Sequence, residues 1–379
     1  MMHAAKSLMC SLALLVAAAG FAFGQGQPPG PLHVKPGAQA EQPPAQTRRL
    51  VIPVNVVTLP VAVSDHSNNP VLSLAQKDFQ VFDDGKPQQI IHFGQGGDPL
   101  SIVLVLETSS RVAPLLPEVQ KTGIIFTQMV MAATGEAAVI GYNDEVDILR
   151  PMTTDSDAVL KAIEHIQAGL PGARLYDALN RAEDILEKEP AERRRVIVVV
   201  GEKNDKGSET KLGQVLRRAQ LKNTSIYTIG LSSTAAEFRK PPEASRPVEV
   251  GPPGTYPMPP PPGTAETPST VDEQMGNTDS ASLLPLIVWM VQHGANAVGK
   301  NSLVLASAAT GGLHEGTFKD RSMEKAMNAI GNDLHGDYLL AYRPPGNTPY
   351  GYHNIEVRVT EPDLKVRTRP GYFIAPPTE

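Results

Sequence analysis

Ser101-Ile102-Val103-Leu104-Val105-Leu106 is the stretch on which the fold turns. After Ser101 it has no polar residue, so it cannot set one face to core and one to water. It predicts a strand buried on both faces, as parallel sheets require. Val196-Ile197-Val198-Val199-Val200 is a second such run. Around them, helical spacing recurs over 116–133, 157–166, 174–186 and 211–221, and strand patterns fall at 137–142, 145–149 and 225–231. Strand–helix alternation of this kind predicts an α/β fold: a Rossmann-like, doubly wound, mostly parallel sheet with helices on both faces.

Outward from this centre the pattern changes. Residues 50–97 read as a small β-rich segment. Val54, Val56, Val61 and Val63 alternate with other residues, Asn68-Asn69-Pro70 supplies a turn, and Phe79 and Val81 lead into the Asp83-Asp84-Gly85-Lys86 turn. The α/β domain occupies 98–335, with an insertion at about 241–281 that holds 11 prolines between Pro241 and Pro268, too many for sheet or helix. Leu283–Val291 is an apolar run interrupted by Pro285, and 303–309 and 323–335 have helical character. Residues 336–379 close the chain as a second β segment, with Ile355, Val357 and Val359 alternating with charged or polar residues. Each β segment alone has too few strands for a closed core, so the two are expected to pack together.

The first 24 residues read as an address. His3 and Lys6 precede the apolar run Leu8–Ala22, which ends in Ala22-Phe23-Gly24, the small-residue pattern of a secretory signal. The run is shorter than the ~20 residues a membrane span needs, so no span is expected after cleavage. Residues 25–49, rich in Pro, Gly and Gln, read as a flexible tether. The chain is therefore expected to be exported, to periplasm, cell surface or medium. Of 379 residues 41% are hydrophobic and one is cysteine, and the net charge is −6. A packed core is feasible, whereas a nucleic-acid surface, a disulfide scaffold and a cysteine-bound zinc are not expected.

Several short motifs occur in one order. They include Lys77-Asp78-Phe79-Gln80-Val81-Phe82-Asp83-Asp84-Gly85, Leu104-Val105-Leu106-Glu107-Thr108-Ser109, Leu175-Tyr176-Asp177-Ala178-Leu179 and Ile226-Tyr227-Thr228-Ile229-Gly230-Leu231. Ala309-Thr310-Gly311-Gly312, Asp337-Tyr338-Leu339-Leu340-Ala341-Tyr342 and Arg369-Pro370-Gly371-Tyr372 follow. On these the segment 102–231 resembles a von Willebrand factor A (vWA) domain, and the chain beyond the signal resembles the secreted VWFA-related proteins of acidobacteria. The resemblance implies a metal-ion-dependent adhesion site at the carboxyl ends of the strands, built from Asp-x-Ser-x-Ser, a Thr and a later Asp. This chain departs from it. Glu107 stands for the first Asp, Ser109 is kept, Arg111 replaces the second Ser, Ala173 stands at the Thr position beside Arg174, and Glu202 replaces the last Asp. Mg²⁺ or another divalent cation at Glu107, Ser109 and Glu202 is thus the less favoured expectation, because Mg²⁺ demands near-octahedral geometry. A guanidinium from Arg111, with Arg174 as a second candidate, is expected to take the ion's place between Glu107 and Glu202.

Enzyme chemistry finds little support. Gly294-Ala295-Asn296-Ala297-Val298-Gly299-Lys300 matches a phosphate loop after an apolar run read as a strand, but Asn301 stands where a hydroxyl should hold Mg²⁺. No Gly-x-Ser-x-Gly elbow occurs. His92, His165, His293, His314, His335 and His353 fall in different elements, and turn chemistry accounts for Asp83-Asp84. The expectation is an exported, non-enzymatic, adhesion-like interaction module without a cofactor. Its partner is an unidentified protein, contacted through an acidic group by the loops carrying Glu107, Ser109, Arg111, Ala173, Arg174 and Glu202. The alternatives are a scaffold subunit of a cell-envelope complex and, less favoured, a nucleotide-dependent enzyme or hydrolase.

Overall fold

The computed structural model describes residues 56–67, 69–232, 280–296, 300–317 and 323–376, all within one unit spanning Pro53–Glu379. The signal, the tether and the Pro-rich insertion lie outside the described residues.

Ser101–Leu106 forms the heart of β5 (Leu100–Glu107), whose eight residues are all buried. On its flanks run β6 (Glu136–Tyr142) and β8 (Arg194–Glu202), both parallel to it. β9 (Ser225–Leu231) and β10 (His314–Gly316) extend the sheet in parallel beyond β8, and β7 (Val146–Thr153) closes the far edge antiparallel to β6. The order is β10-β9-β8-β5-β6-β7. Helices cover both faces, because successive side chains of a strand point to opposite sides. Leu104, Leu106 and Val198 pack with α1 (Leu116–Lys121), α3 (Ser156–Glu164) and the last helix, α8 (Met323–Gly336). Val103, Val105 and Val199 pack with α4 (Leu175–Leu186), α5 (Leu212–Lys222), α6 (Ser280–His293) and α7 (Ser302–Thr310).

Two elements differ from the sequence reading. The helix expected over 116–133 is broken. α1 stops at Thr122, whose hydroxyl donates to the Val119 carbonyl at 2.7 Å. A short α2 (Gly123–Ile125) then runs into a π-helical turn, Phe126–Met131. Gly123 sits so close to Leu160 that a Cβ there would lie 2.8 Å from its Cδ1, so α3 sets the path of this segment. The apolar run before the Gly-rich loop is α6, not a strand. Its buried residues Leu283, Ile287, Met290 and Val291 fall at helical spacing.

The remaining strands build a β-sandwich from both ends of the chain. One sheet has the order β13-β1-β11-β4 and the other β14-β12-β2-β3. β1 (Val57–Ser64) pairs with β11 (Tyr338–Tyr342) and β13 (Lys365–Arg367), and β11 pairs in turn with β4 (Ile90–Gln95). β2 (Phe79–Asp83) lies between β3 (Lys86–Gln88) and β12 (Gly351–Val359), and β14 (Gly371–Ile374) pairs with β12. Val57, Leu59, Val61 and Val63 form the inward face of β1, whereas Val56 points out of phase and is exposed. Val81, Leu340, Val357 and Tyr372 complete a core shared by the early and late segments. No helix among the described residues is long and apolar enough to cross a membrane.

Candidate functional site

The carboxyl ends of parallel strands gather loops above an α/β sheet, and four loops meet there. They follow β5, β6 and β8 and precede α4. Backbone bonds sew them together. Thr108 N–H donates to Tyr142 O at 2.8 Å, Gly169 N–H to Thr108 O at 2.7 Å, and Arg174 N–H to Asn143 O at 2.9 Å. Ala173 and Lys206 exchange N–H···O bonds in both directions at 3.0 and 2.7 Å. Gly172 lies against Asp144, where a Cβ would come within 1.9 Å of Oδ1, so the approach requires glycine. The Gly172 N–H donates to Asp144 Oδ2 at 3.1 Å.

Glu107 ends β5 fully buried, and both its oxygens are engaged. Oε2 accepts the Glu202 N–H at 2.6 Å, and Oε1 accepts the Ser109 hydroxyl at 2.6 Å and Arg111 Nη2 at 3.1 Å. Arg111 Nη1 lies 2.9 Å from Glu202 Oε2. The guanidinium therefore bridges two carboxylates on adjacent strands, with 20% of the arginine side chain, 10% of Glu202 and none of Glu107 exposed. Glutamate rather than aspartate suits this arrangement, because the extra methylene lets each carboxylate reach a planar fork. Burial raises the Glu107 carboxyl above its usual range, although the Glu202 amide, Ser109 and Arg111 oppose the rise. Beneath the cluster lies the hydroxyl of fully buried Tyr142, without a hydrogen-bond partner. Burial and the nearby Glu107, Glu202 and Asp205 charges hold it well above the usual tyrosine range.

Other expected residues lie beside this cluster. Ala173 is buried and offers no side-chain oxygen. Arg174 does not join Glu107 and Glu202. Its Nε donates to Gly207 O at 2.9 Å and lies 3.2 Å from Asp177 Oδ2, and Nη2 pairs with Glu209 at 3.1 Å. Asp177 and Asp205, not singled out from the sequence as site residues, hold the start of α4 against the loop after β8. Asp205 Oδ1 accepts the Tyr176 N–H at 3.0 Å, and Asp177 accepts the N–H groups of Thr210 and Glu209 at 2.9 and 3.1 Å. These bonds keep the Asp177 carboxyl below its usual range despite its partial burial. The signal for Asp177 was its place in the first turn of a helix, where an acid is stabilised.

Residues 102–204 match the family model of the von Willebrand factor type A domain. This part of the chain is similar to a vWA domain. Among solved structures, an aerotolerance-related membrane protein from Bacteroides fragilis is 15% identical with a TM-score of 0.38, covering 62% of this chain and 98% of its own. BatB from Bacteroides thetaiotaomicron is 15% identical at TM-score 0.36, covering 62% and 97%. The vWF domain of the type V pili tip protein Mfa5 from Porphyromonas gingivalis is 18% identical at TM-score 0.25, covering 28% and 38%. No curated protein gives a significant match.

Domains of the vWA type usually mediate protein interactions, and the fold is typically non-enzymatic. The metal site implied by the vWA pattern does not fit the residues present. A divalent cation there would meet the Arg111 guanidinium, Ser109 already donates to Glu107, and Ala173 supplies no ligand. The phosphate-loop reading fails as well. The Gly-rich stretch follows a helix, and Asn301 caps α7 by accepting the Leu303 and Val304 N–H groups at 3.0 and 3.4 Å.

Proposed function

We propose that the protein is an exported, adhesion-like interaction module that binds a protein partner without a metal ion, through the loops above β5, β6 and β8. One observation carries the reading: Arg111 spans Glu107 and Glu202 at 3.1 and 2.9 Å, the place a bridging cation would take. A fixed guanidinium supplies the positive charge that keeps two buried carboxylates together. It cannot leave, so the loops keep one shape whatever the ionic composition outside the cell. A metal-dependent site draws a partner carboxylate into an open coordination position. Here a partner's acidic group must instead compete with Glu202 for Arg111, or pair with the more exposed Arg174. The surrounding rim is mixed, with Leu170 about half exposed and Glu209 largely in water.

Thermal unfolding of the EDTA-stripped chain, alone and in millimolar Mg²⁺ or Ca²⁺, tests the reading. The expected midpoint is the same in every condition for the wild type. A ligand that binds only the folded state at 100 times its dissociation constant would add about 2.7 kcal/mol, so a metal-induced rise of several degrees would overturn it. The export reading rests on the first 24 residues. Secretion of the full chain should yield a product beginning at Gln25, and retention of an uncleaved amino terminus would argue against it.

A further inference from the structure

A second cluster of ligating side chains lies in the β-sandwich. Asp83 ends β2, Asp84 is the first residue of the β2–β3 turn, and His353 lies on β12. Asp84 and Gly85 have φ of 46° and 76°, the two left-handed positions of a tight hairpin turn. That turn faces Asp84 toward β12, where its Oδ1 accepts the Asn354 N–H at 2.9 Å. One ligand atom from each of Asp83, Asp84 and His353 lies within 4.8 Å of the other two.

We infer that Asp83, Asp84 and His353 bind a divalent transition cation of the Zn²⁺ class. The argument rests on what surrounds the three residues. His353 Nε2 lies 2.8 Å from Pro349 O, a carbonyl that can only accept, so Nε2 carries the hydrogen. In neutral imidazole this turns the Nδ1 lone pair toward Asp84 Oδ2 at 2.8 Å and Asp83 Oδ1 at 4.0 Å. A lone pair facing two carboxylates needs a cation between them, either a proton or a metal. The other oxygen of Asp83 is fixed by two hydroxyls, Tyr342 at 2.9 Å and Tyr372 at 2.8 Å, which turn Oδ1 toward His353. A histidine whose far N–H is held by a carbonyl, beside a carboxylate oriented by hydroxyls, is the outer-sphere pattern of metal ligands.

The spacing suits a small ion. Bonds of 2.0–2.2 Å in tetrahedral geometry place ligand atoms about 3.4 Å apart, and the two Nδ1–carboxylate distances straddle that value. One imidazole nitrogen with two carboxylate oxygens favours Zn²⁺ and its neighbours over Mg²⁺ or Ca²⁺, which take oxygen alone. Asp84 is about half exposed, which leaves an outer position for water. The ion would tie the β2–β3 hairpin of the early segment to β12 of the late one.

Titration calorimetry of the EDTA-stripped full chain with ZnCl₂ tests this, with Co²⁺ absorbance as a second readout. The expected result is one ion per chain, visible d–d bands with Co²⁺, and at least a tenfold loss of affinity in both Asp84→Asn and His353→Gln. Asp84→Asn keeps the left-handed turn and the Asn354 bond, so it separates lost ligation from lost folding. Absence of saturable binding in the folded wild type would overturn the inference. Binding that persists unchanged in both variants would overturn it equally.

Discussion

Removing the Arg111 guanidinium leaves two acids facing each other. In Arg111→Ala, Glu107 keeps the Ser109 hydroxyl and the Glu202 amide but loses the one cation that the described residues pair with it. Breaking a buried pair by deleting one partner costs about 3–5 kcal/mol. Since a fifth of the Arg111 side chain meets water, solvent screening lowers the expectation to about 2–4 kcal/mol at pH 8. The pH dependence carries a sign. Glu107 already titrates above its unfolded value because of burial, and loss of the guanidinium raises it further. A carboxyl raised in the folded state binds its proton more tightly there than in the unfolded chain. Its penalty is absent below the unfolded pKa and grows as pH climbs through the folded one. Urea unfolding at pH 5 and pH 8 should therefore show a smaller deficit at pH 5. The double variant Glu107→Gln/Arg111→Met, which holds less buried charge, should lie closer to wild type than Arg111→Ala does. A deficit under about 0.5 kcal/mol at pH 8, the size of a surface pair, would refute the bridging role, and so would a larger deficit at pH 5.

Two further outcomes follow from buried groups. Glu183, on α4, is fully buried, and desolvation pushes its carboxyl up to about 7. Stability from this residue is lost as pH rises from about 4.5 to about 7, so Glu183→Gln should gain about 1–3 kcal/mol at pH 8 and almost nothing at pH 5 by urea titration. Gly201→Ala would place a Cβ 2.0 Å from the Tyr142 hydroxyl and 3.1 Å from Glu107 Oε2. It should destabilise by about 1–3 kcal/mol, and a wild-type midpoint would show that Tyr142 has room to move.

Burial on both faces of β5 and β8 was written in unbroken apolar runs, and the sandwich strands in alternation, because each pattern records the water a residue meets. The mispaired details share a cause. Val56 and the broken 116–131 helix depend on which neighbour arrives, Leu160 in the second case, and no local period carries that. Leu283–Val291 was ambiguous because a short apolar run suits a strand or a buried helix equally. Substitution of the adhesion pattern at Glu107, Arg111 and Glu202 was visible as residue types. That Arg111 reaches both acids while Arg174 turns to Asp177 and Glu209 depends on the parallel register of β5 with β8 and on the Ala173–Lys206 pairing.

The cluster at Asp83 and Asp84 shows the limit most plainly. By itself the sequence determined the turn at Asp83-Asp84-Gly85-Lys86 and the alternating strand from Ile355 to Val359, whereas the extension of β12 back through His353 is seen in the structure. Only the tertiary structure decided that Asp84 and His353 meet. Their contact spans 269 positions and is fixed by the pairing of Asp83 with Ile355 across β2 and β12. A one-residue slip in that register would turn His353 to the other face of the sheet. Local chemistry chooses the elements, and long-range register chooses which of their side chains share a site.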